Sequence, residues 1–231
     1  MTKAAVFGSS GRMGKLVQEV SPGSISVIQA IDVGDKLELD SEVEVVIDFS
    51  LPSAWSNLNT LLSSSDAALV SGTTGLSEVE RKLLQSWAAK RPVFYSSNMS
   101  IGIHVLGRLM KTATSMLGES FDKELIEIHH REKKDSPSGT ALSLLDNWSG
   151  ERAYGRTKGA EARKPGTVGV HSVRGGDVVG EHHLHFIGDG ERITISHLAT
   201  NRLVYARGAI RAAEFIKGKP SGLYSMEDLL G

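Results

Sequence analysis

The chain has 231 residues, of which 40% are hydrophobic, and its formal net charge at pH 7 is −1. This length is enough for one large hydrophobic core or two small ones, and the balanced charge argues against nucleic-acid and membrane partners. Because the chain has no cysteine, disulfides, thiolate nucleophiles and zinc–thiolate sites are excluded. The apolar run at residues 4–7 is too short for a signal peptide, and no run is long enough to cross a bilayer. We therefore expect a cytoplasmic protein.

In the first hundred residues, short apolar runs that predict strands alternate with helical patterns. The predicted strands are Lys3–Phe7, Ser26–Ile31, Val43–Phe49, Ala67–Ser71 and Pro92–Ser96, and the predicted helices are Met13–Val20, Ala54–Ser63 and Ser77–Lys90. Ser53 is expected to cap the second helix, and Ser77 with Glu80 has the spacing of a capping box at the third. The alternation predicts the α/β class, with a Rossmann-type doubly wound parallel sheet.

The pattern changes near residue 101, where hairpin-like strands replace the alternation. The predicted elements are a helix at Ile103–Leu117, a strand at Glu124–His130, a helix at Thr140–Trp148, a loop at Gly150–Gly166, strands at Val168–Arg174, Val179–Ile187 and Arg192–Ala199, and a final helix at Leu203–Ile216. They predict a second, α+β domain built on an open mixed sheet. Because the final helix is expected to return to the first domain, the predicted domains are 1–100 plus 203–231 and 101–202.

The segment GSSGRMG directly follows the first predicted strand and places Gly8, Gly11 and Gly14 three residues apart. Between a strand and a helix, such glycines allow a tight turn and close approach of a dinucleotide pyrophosphate to the helix N-terminus. Asp32 ends the second strand, where a carboxylate would hold the adenine ribose. Its charge would repel a 2′-phosphate and no arginine follows it, so NADH is expected to bind better than NADPH, although Lys36 could support some NADPH binding. The alternative is a glycine-rich turn with no ligand.

Two further polar segments, SGTTG at 71–75 and SSNMSIG at 96–102, follow the fourth and fifth predicted strands. Ligands bind outside the carboxyl ends of the strands in open α/β sheets. The backbone and hydroxyl groups of these segments are therefore candidates for lining a nicotinamide. They could equally serve as helix caps.

The segment HHREKKDSPSGTAL at 129–142 combines titratable and cationic side chains with a turn that opens a helix. Histidine is suited to proton transfer near neutral pH, which makes His129 a candidate acid or base. Lys133 adds a charge that could donate a proton or stabilise developing negative charge. Free N–H groups at Ser138–Thr140 would suit a substrate carboxylate. The alternatives are a solvated basic loop and structural histidines.

A second histidine cluster, EHHLHF at 181–186, raises the alternative of a metal site. In a strand, His183 and His185 would share one face and His182 would lie on the other. No carboxylate or cysteine completes a convincing ligand set. No metal is therefore predicted, and a role at the sheet surface or a subunit interface is favoured.

The four segments GSSGRMG, SGTTG, SSNMSIG and HHREKKDSPSGTAL, in this order, resemble those of the 4-hydroxy-tetrahydrodipicolinate reductase family, long called dihydrodipicolinate reductase. The likeness continues through VRGGDVVGEH at 173–182 and ATNRLVYARGAIRAAEF at 199–215, so it covers nearly the whole chain. The resemblance implies an enzyme of the diaminopimelate and lysine pathway that reduces a cyclic dicarboxylate with NADH or NADPH. It also implies a dinucleotide-binding first domain, a substrate-binding second domain, and a homotetramer built through the sheets of that second domain.

The resemblance also implies roles for individual residues. His129 would be the catalytic acid or base and Lys133 the proton donor, while the substrate would be bound by His130, Gly139 and Thr140. The residues that would hold the dinucleotide are Gly8, Ser9, Ser10, Gly11, Arg12, Met13, Asp32, Gly72, Thr73, Thr74, Ser96, Ser97, Asn98 and Met99. The chain departs from the family pattern at Met99, where relatives often have an aromatic residue, and at Val33, where NADPH-tolerant relatives can have an arginine.

Two other functions compete with this interpretation. A module that senses NAD(H) without turnover would not need His129, Lys133 and the anion-binding turn together. Another two-domain amino-acid dehydrogenase, such as an aspartate dehydrogenase, would share the cofactor domain but lack the segment at 129–140.

Overall fold

The computed structural model describes residues 1–20, 24–159 and 161–231. It divides the chain into two units, one formed by Met1–Ile101 with Arg202–Gly231 and the other by Gly102–Asn201. Among the helices that the structure describes, none is long and apolar enough to span a membrane.

The first unit contains a sheet of six parallel strands. These are β1 (Thr2–Phe7), β2 (Ile25–Ile31), β3 (Val45–Asp48), β4 (Ala68–Ser71), β5 (Pro92–Tyr95) and β11 (Gly222–Tyr224), in the order β11-β5-β4-β3-β1-β2. The strand order reverses beside β1, and the carboxyl ends of β1 and β3 therefore border the crevice where doubly wound sheets bind ligands. The predicted Rossmann-type sheet is confirmed.

Helices cover both faces of this sheet. They are α1 (Arg12–Glu19), α2 (Trp55–Ser63), α3 (Glu78–Ala88), α6 (Leu203–Ile216) and α7 (Met226–Leu230). Alternate residues of β1 enter two separate cores: Ala4 and Val6 pack with residues of α1 and α6, whereas Ala5 and Phe7 pack with residues of α2 and α3. This double burial explains why the strands are apolar without a break.

The second unit contains a five-stranded mixed sheet, as predicted. Its elements are α4 (Ile101–Leu117, whose first residue belongs to the first unit), β6 (Asp122–His129), α5 (Gly139–Leu145), β7 (Arg152–Tyr154), β8 (Val168–Arg174), β9 (Gly180–Gly188) and β10 (Glu191–Ala199), with the strand order β10-β9-β6-β8-β7. Burial alternates along β6, so that Leu125 packs with Leu106 of α4 and Leu144 of α5. The opposite face of the sheet carries partly exposed side chains, among them Val173 and Leu198.

Three local predictions needed correction. Ser53 does not cap α2, because Pro52–Ala54 forms a short 3-10 helix and Ala54 occupies the N-cap position. The predicted loop at 150–166 contains β7, a three-residue edge strand paired with β8, while its residue 160 lies outside the described residues. The strand β6 ends at His129, so His130 already belongs to the following loop. The capping box of Ser77 and Glu80 at α3 is confirmed.

Candidate active site

The turn between β1 and α1 is shaped by its glycines. Gly8 has a positive φ of 79°, and Gly11 is the N-cap residue of α1. A Cβ atom on Gly14 would lie 2.2 Å from the carbonyl oxygen of Gly8, so only glycine lets the helix approach the turn this closely. A cavity of about 390 Å³ opens beside this turn and is lined by Gly8, Ser10, Gly11, Arg12, Met13 and Asp32, among other residues. The turn fits the phosphates of a dinucleotide.

Asp32 is held at the rim of this cavity. Its carboxylate accepts hydrogen bonds from the backbone N–H groups of Ser10 (2.7 Å) and Val33 (2.8 Å). Hydrogen bonds from Ser10, and then from Val33, lower the pKa of this carboxyl below its usual range, so it is ionised at neutral pH. Lys36, four residues further on, forms an exposed ion pair with Glu38.

The segment after β4 is organised by a buried carboxylate that the sequence analysis did not identify. Asp48, at the end of β3, accepts hydrogen bonds from the hydroxyls of Ser71 (2.7 Å), Thr73 (2.8 Å) and Ser50 (2.6 Å). A Cβ atom on Gly72 would lie 2.3 Å from the ring of Phe49. The hydroxyl of Thr73 thus has a structural partner, and Thr74 next to it is exposed.

The segment after β5 is held by hydrogen bonds among its own residues. The hydroxyl of Ser96 donates to the carbonyl of Asn98 (2.6 Å), and the side-chain oxygen of Asn98 accepts from the N–H of Ser100 (2.8 Å). Ser97 is exposed. Met99 is 1% exposed and packs in the core that contains α6, so its side chain contributes to the packing of the first unit.

His129 ends β6 in a buried hydrogen-bonded cluster. Its Nδ1 contacts the carboxylate of Glu127, which lies two residues earlier on the same face of the strand and is 0% exposed. The other carboxylate oxygen accepts hydrogen bonds from Arg174 Nη2 (2.7 Å) and the N–H of Ser138 (3.3 Å). Although burial opposes the charged form, hydrogen bonds from His129, Arg174 and Ser172 lower the pKa of Glu127 to about 2.

His182 completes this cluster from β9. Its ring lies edge-on to that of His129, with the centroids 5.4 Å apart, and its Nε2 is 3.4 Å from the Ser138 hydroxyl. Burial lowers the pKa of His182 to about 3, so the ring is neutral at neutral pH. His183 and His185 lie on the opposite face of the strand and contact Ser196 and Thr194.

The same cluster has the spacing of a metal site. Glu127, His129 and His182 bring one potential ligand atom each to within 4.8 Å of one another. The guanidinium of Arg174 is bonded to the same carboxylate and would repel a metal cation. We therefore interpret the cluster as a hydrogen-bonded set. The expectation that no carboxylate accompanies the second histidine cluster was wrong, because Glu127 on β6 lies opposite His182 on the neighbouring strand β9.

The loop that follows β6 carries Lys133 and leads to the predicted substrate turn. Lys133 pairs with Asp135 (2.9 Å), while Arg174 donates to the backbone carbonyl of Asp135 (2.6 Å). Ser138 caps α5 by accepting from the N–H of Ala141 (3.1 Å). Apart from its chain neighbours and the backbone of α5, no described atom lies within 4 Å of a Cβ built on Gly139, so the backbone is open to close approach there. His130, at the start of this loop, and Thr140, directly after Gly139, are partly exposed.

Two family models match consecutive parts of the chain. The model described as dihydrodipicolinate reductase, N-terminus, matches residues 21–99, and the model described as dihydrodipicolinate reductase, C-terminus, matches residues 102–230. A protein of Caldanaerobacter subterraneus subsp. tengcongensis, named 4-hydroxy-tetrahydrodipicolinate reductase, is 42% identical over 100% of this chain and 98% of its own length.

Solved structures support the fold. The dipicolinate-bound dihydrodipicolinate reductase of Paenisporosarcina sp. TG-14 superposes with a TM-score of 0.74 at 21% identity, over 97% of each chain. The myo-inositol dehydrogenase of Lactobacillus casei, solved with NAD(H) and myo-inositol, has a TM-score of 0.55 at 16% identity over 99% of this chain and 90% of its own. The family follows from the two family models and the 42% identical relative: this chain belongs to the dihydrodipicolinate reductase family.

Proposed function

We propose that this chain reduces 4-hydroxy-tetrahydrodipicolinate to tetrahydrodipicolinate with a nicotinamide dinucleotide, as a step of diaminopimelate and lysine biosynthesis. The observation that carries the proposal is the arrangement at the end of β6. There, a buried histidine bonded to a carboxylate is followed by a lysine and by an open turn at Gly139. Membership of the family supports the same reaction.

The overall conversion requires a proton as well as a hydride. The 4-hydroxyl leaves as water, so one hydride and one proton are taken up for each molecule of product. The nicotinamide supplies the hydride when it is bound. We assign the proton chemistry to His129 and Lys133, and we assign substrate binding to His130, Gly139 and Thr140.

Two properties of the second unit suit a cyclic dicarboxylate. Lys133 is paired with Asp135, whose side chain is 57% exposed, so a substrate carboxylate can compete for the ammonium group. Gly139 has no side chain to obstruct an anion that approaches the backbone at the start of α5. Both features favour negatively charged substrates over neutral ones.

We infer that the dinucleotide occupies the cavity beside the glycine turn, held by residues 8–13 and Asp32 and by the segments at 72–74 and 96–99. The ionised carboxylate of Asp32 supports NADH as the preferred cofactor over NADPH.

We also infer a cytoplasmic homotetramer assembled through the open face of the mixed sheet. The support for assembly is the row of apolar side chains on that face, including Val173 at 45% and Leu198 at 53% exposure. Size-exclusion chromatography with light scattering tests the assembly, and a monomer in solution would refute it.

The reaction itself is tested by following NADH oxidation with the product of dihydrodipicolinate synthase as substrate. Oxaloacetate with ammonia is the control, because an aspartate dehydrogenase would use that pair. We expect turnover only with the cyclic substrate. Turnover with oxaloacetate and ammonia alone, or NADH binding without any turnover, would refute the proposal.

A further inference from the structure

The assigned proton chemistry leaves the buried carboxylate beside His129 without a role. Glu127 is 0% exposed, and an ionised group in the interior is costly unless it is fully bonded. We propose that Glu127 is a positioning residue, an inference that rests on the proposed function. It fixes the imidazole of His129 and, with Arg174, holds the loop of Lys133 in place.

The contact between Glu127 and His129 selects the nitrogen that handles the proton. An ionised carboxylate can only accept hydrogen bonds, so the Nδ1 atom that it contacts must carry the hydrogen. This leaves Nε2 of His129 as the atom that releases or takes up a proton. Without Glu127, neither the tautomer nor the ring orientation would be fixed from this side.

The second oxygen of Glu127 connects two more segments to the same point. It accepts from the N–H of Ser138, which is the cap residue of α5, and from Arg174. Arg174 in turn donates to the backbone carbonyl of Asp135, whose side chain pairs with Lys133. One buried ion pair thus joins the histidine, the lysine loop and the turn at Gly139.

Charged and titratable groups surround His129. Besides Glu127 on β6, the ring faces Arg174 on β8, its cross-strand neighbour, and His182 on β9, which itself pairs with His197 on β10. Removing the carboxylate would leave the Arg174 guanidinium without its buried partner, so both the His129 ring and the loop of Lys133 would be held less firmly.

The test compares Glu127→Gln with a matched control on the same strand. Glu124 lies on the opposite face of β6 and also contacts a histidine, His171, and an arginine, Arg163. For Glu127→Gln we expect kcat to fall about 10- to 100-fold, with unchanged NADH affinity. Glu124→Gln should keep the wild-type rate.

A spectroscopic measurement separates this inference from the proposed function. Imidazole ¹⁵N NMR, with the His129 signals identified from a His129→Gln spectrum, reports the tautomer without substrate. We expect hydrogen on Nδ1 in the wild type and a mixture or hydrogen on Nε2 in Glu127→Gln. An inactive wild type with this tautomer change would refute only the proposed function.

Three results would overturn the inference: an unchanged tautomer, a wild-type kcat in Glu127→Gln, or an equal loss in Glu124→Gln. Glu127→Asp keeps the charge opposite Arg174 and is the second variant if Glu127→Gln does not fold. By shortening the side chain, it should weaken the contact with Nδ1 and lower kcat. An unchanged rate would again count against the inference.

Discussion

At the scale of single residues, His129 and Lys133 differ in how firmly they are held. His129 is 7% exposed and bonded to a buried carboxylate, whereas Lys133 has an exposed partner in Asp135. An ion pair of the second kind contributes little to stability and exchanges readily. The side chain of Lys133 can therefore exchange its partner, whereas the ring of His129 is held in one orientation.

The first prediction concerns these two side chains. Replacement of His129 by Gln or of Lys133 by Ala should lower kcat about 10²–10⁴-fold, because each removes a group to which we assign proton transfer. Binding of NADH, measured by fluorescence titration, should change little, because the residues that we assign to the dinucleotide are elsewhere in the chain. Near-wild-type kcat in both variants would mean that the segment at 129–142 is only a basic loop.

The second prediction concerns cofactor choice. KM should be lower for NADH than for NADPH, because the ionised carboxylate of Asp32 repels a 2′-phosphate. Val33 is 69% exposed beside it, so Val33→Arg can add a cation without disturbing a core. This variant should lower the KM for NADPH with little effect on NADH. A lower KM for NADPH in the wild type would contradict the role given to Asp32.

At the scale of elements, the start of α1 depends on close packing of backbone against backbone. A Cβ on Gly14 would lie 2.2 Å from the Gly8 carbonyl oxygen, whereas a Cβ on Gly11 would lie 3.2 Å from the same atom. The first contact cannot be relieved by moving a side chain. The second needs a shift of only a few tenths of an ångström.

The third prediction follows from this difference. Gly14→Ala should displace α1 from the turn, weaken NADH binding more than tenfold and cost about 1–3 kcal/mol of unfolding free energy, as overpacking does. Gly11→Ala is the matched control and should be milder in both measurements. Isothermal titration and urea unfolding would check this, and equal effects of the two substitutions would argue against the packing explanation.

The elements also show what sequence patterns can and cannot predict. The bounds of α6 were predicted to the residue because fourteen residues of helical periodicity leave little ambiguity. The strand β7 was missed because it has only three residues, two of them exposed, and pairs along one side alone. Glu127 was missed for another reason: its partner Arg174 is 47 residues away, and only strand pairing brings them together.

At the scale of the whole molecule, acid should destabilise the fold in two stages. Burial lowers the pKa of His182 to about 3, and the pKa of His171, His185 and His197 is lowered for the same reason. In the unfolded chain these histidines take up protons below about pH 6.5. Stability is therefore lost as the pH falls from 6.5 towards 3. Glu127, with its pKa of about 2, adds a further loss between pH 4.5 and 2.

The fourth prediction concerns the contribution of His182 to this loss of stability in acid. Between pH 6.5 and 4.5, a histidine whose pKa is lowered in the folded state reduces the unfolding free energy by up to about 1.4 kcal/mol for each unit by which the pH falls. His182→Asn should reduce the slope in this range by an amount of that order, whatever its effect at pH 7. Urea unfolding at fixed protein concentration across the range measures both slopes. Parallel slopes would show that His182 is charged in the native state.

The division of the chain has a consequence for its synthesis. The first unit is discontinuous, since its core needs Ala209 and Ile216 of α6 to cover Val70 and Phe94 of the sheet. The ribosome releases α6 only after residues 102–201 have emerged. A released fragment that ends at residue 201 should therefore hold a protected second unit while its first hundred residues stay sensitive to protease. The amino-terminal half of this protein is thus the last part to become stable.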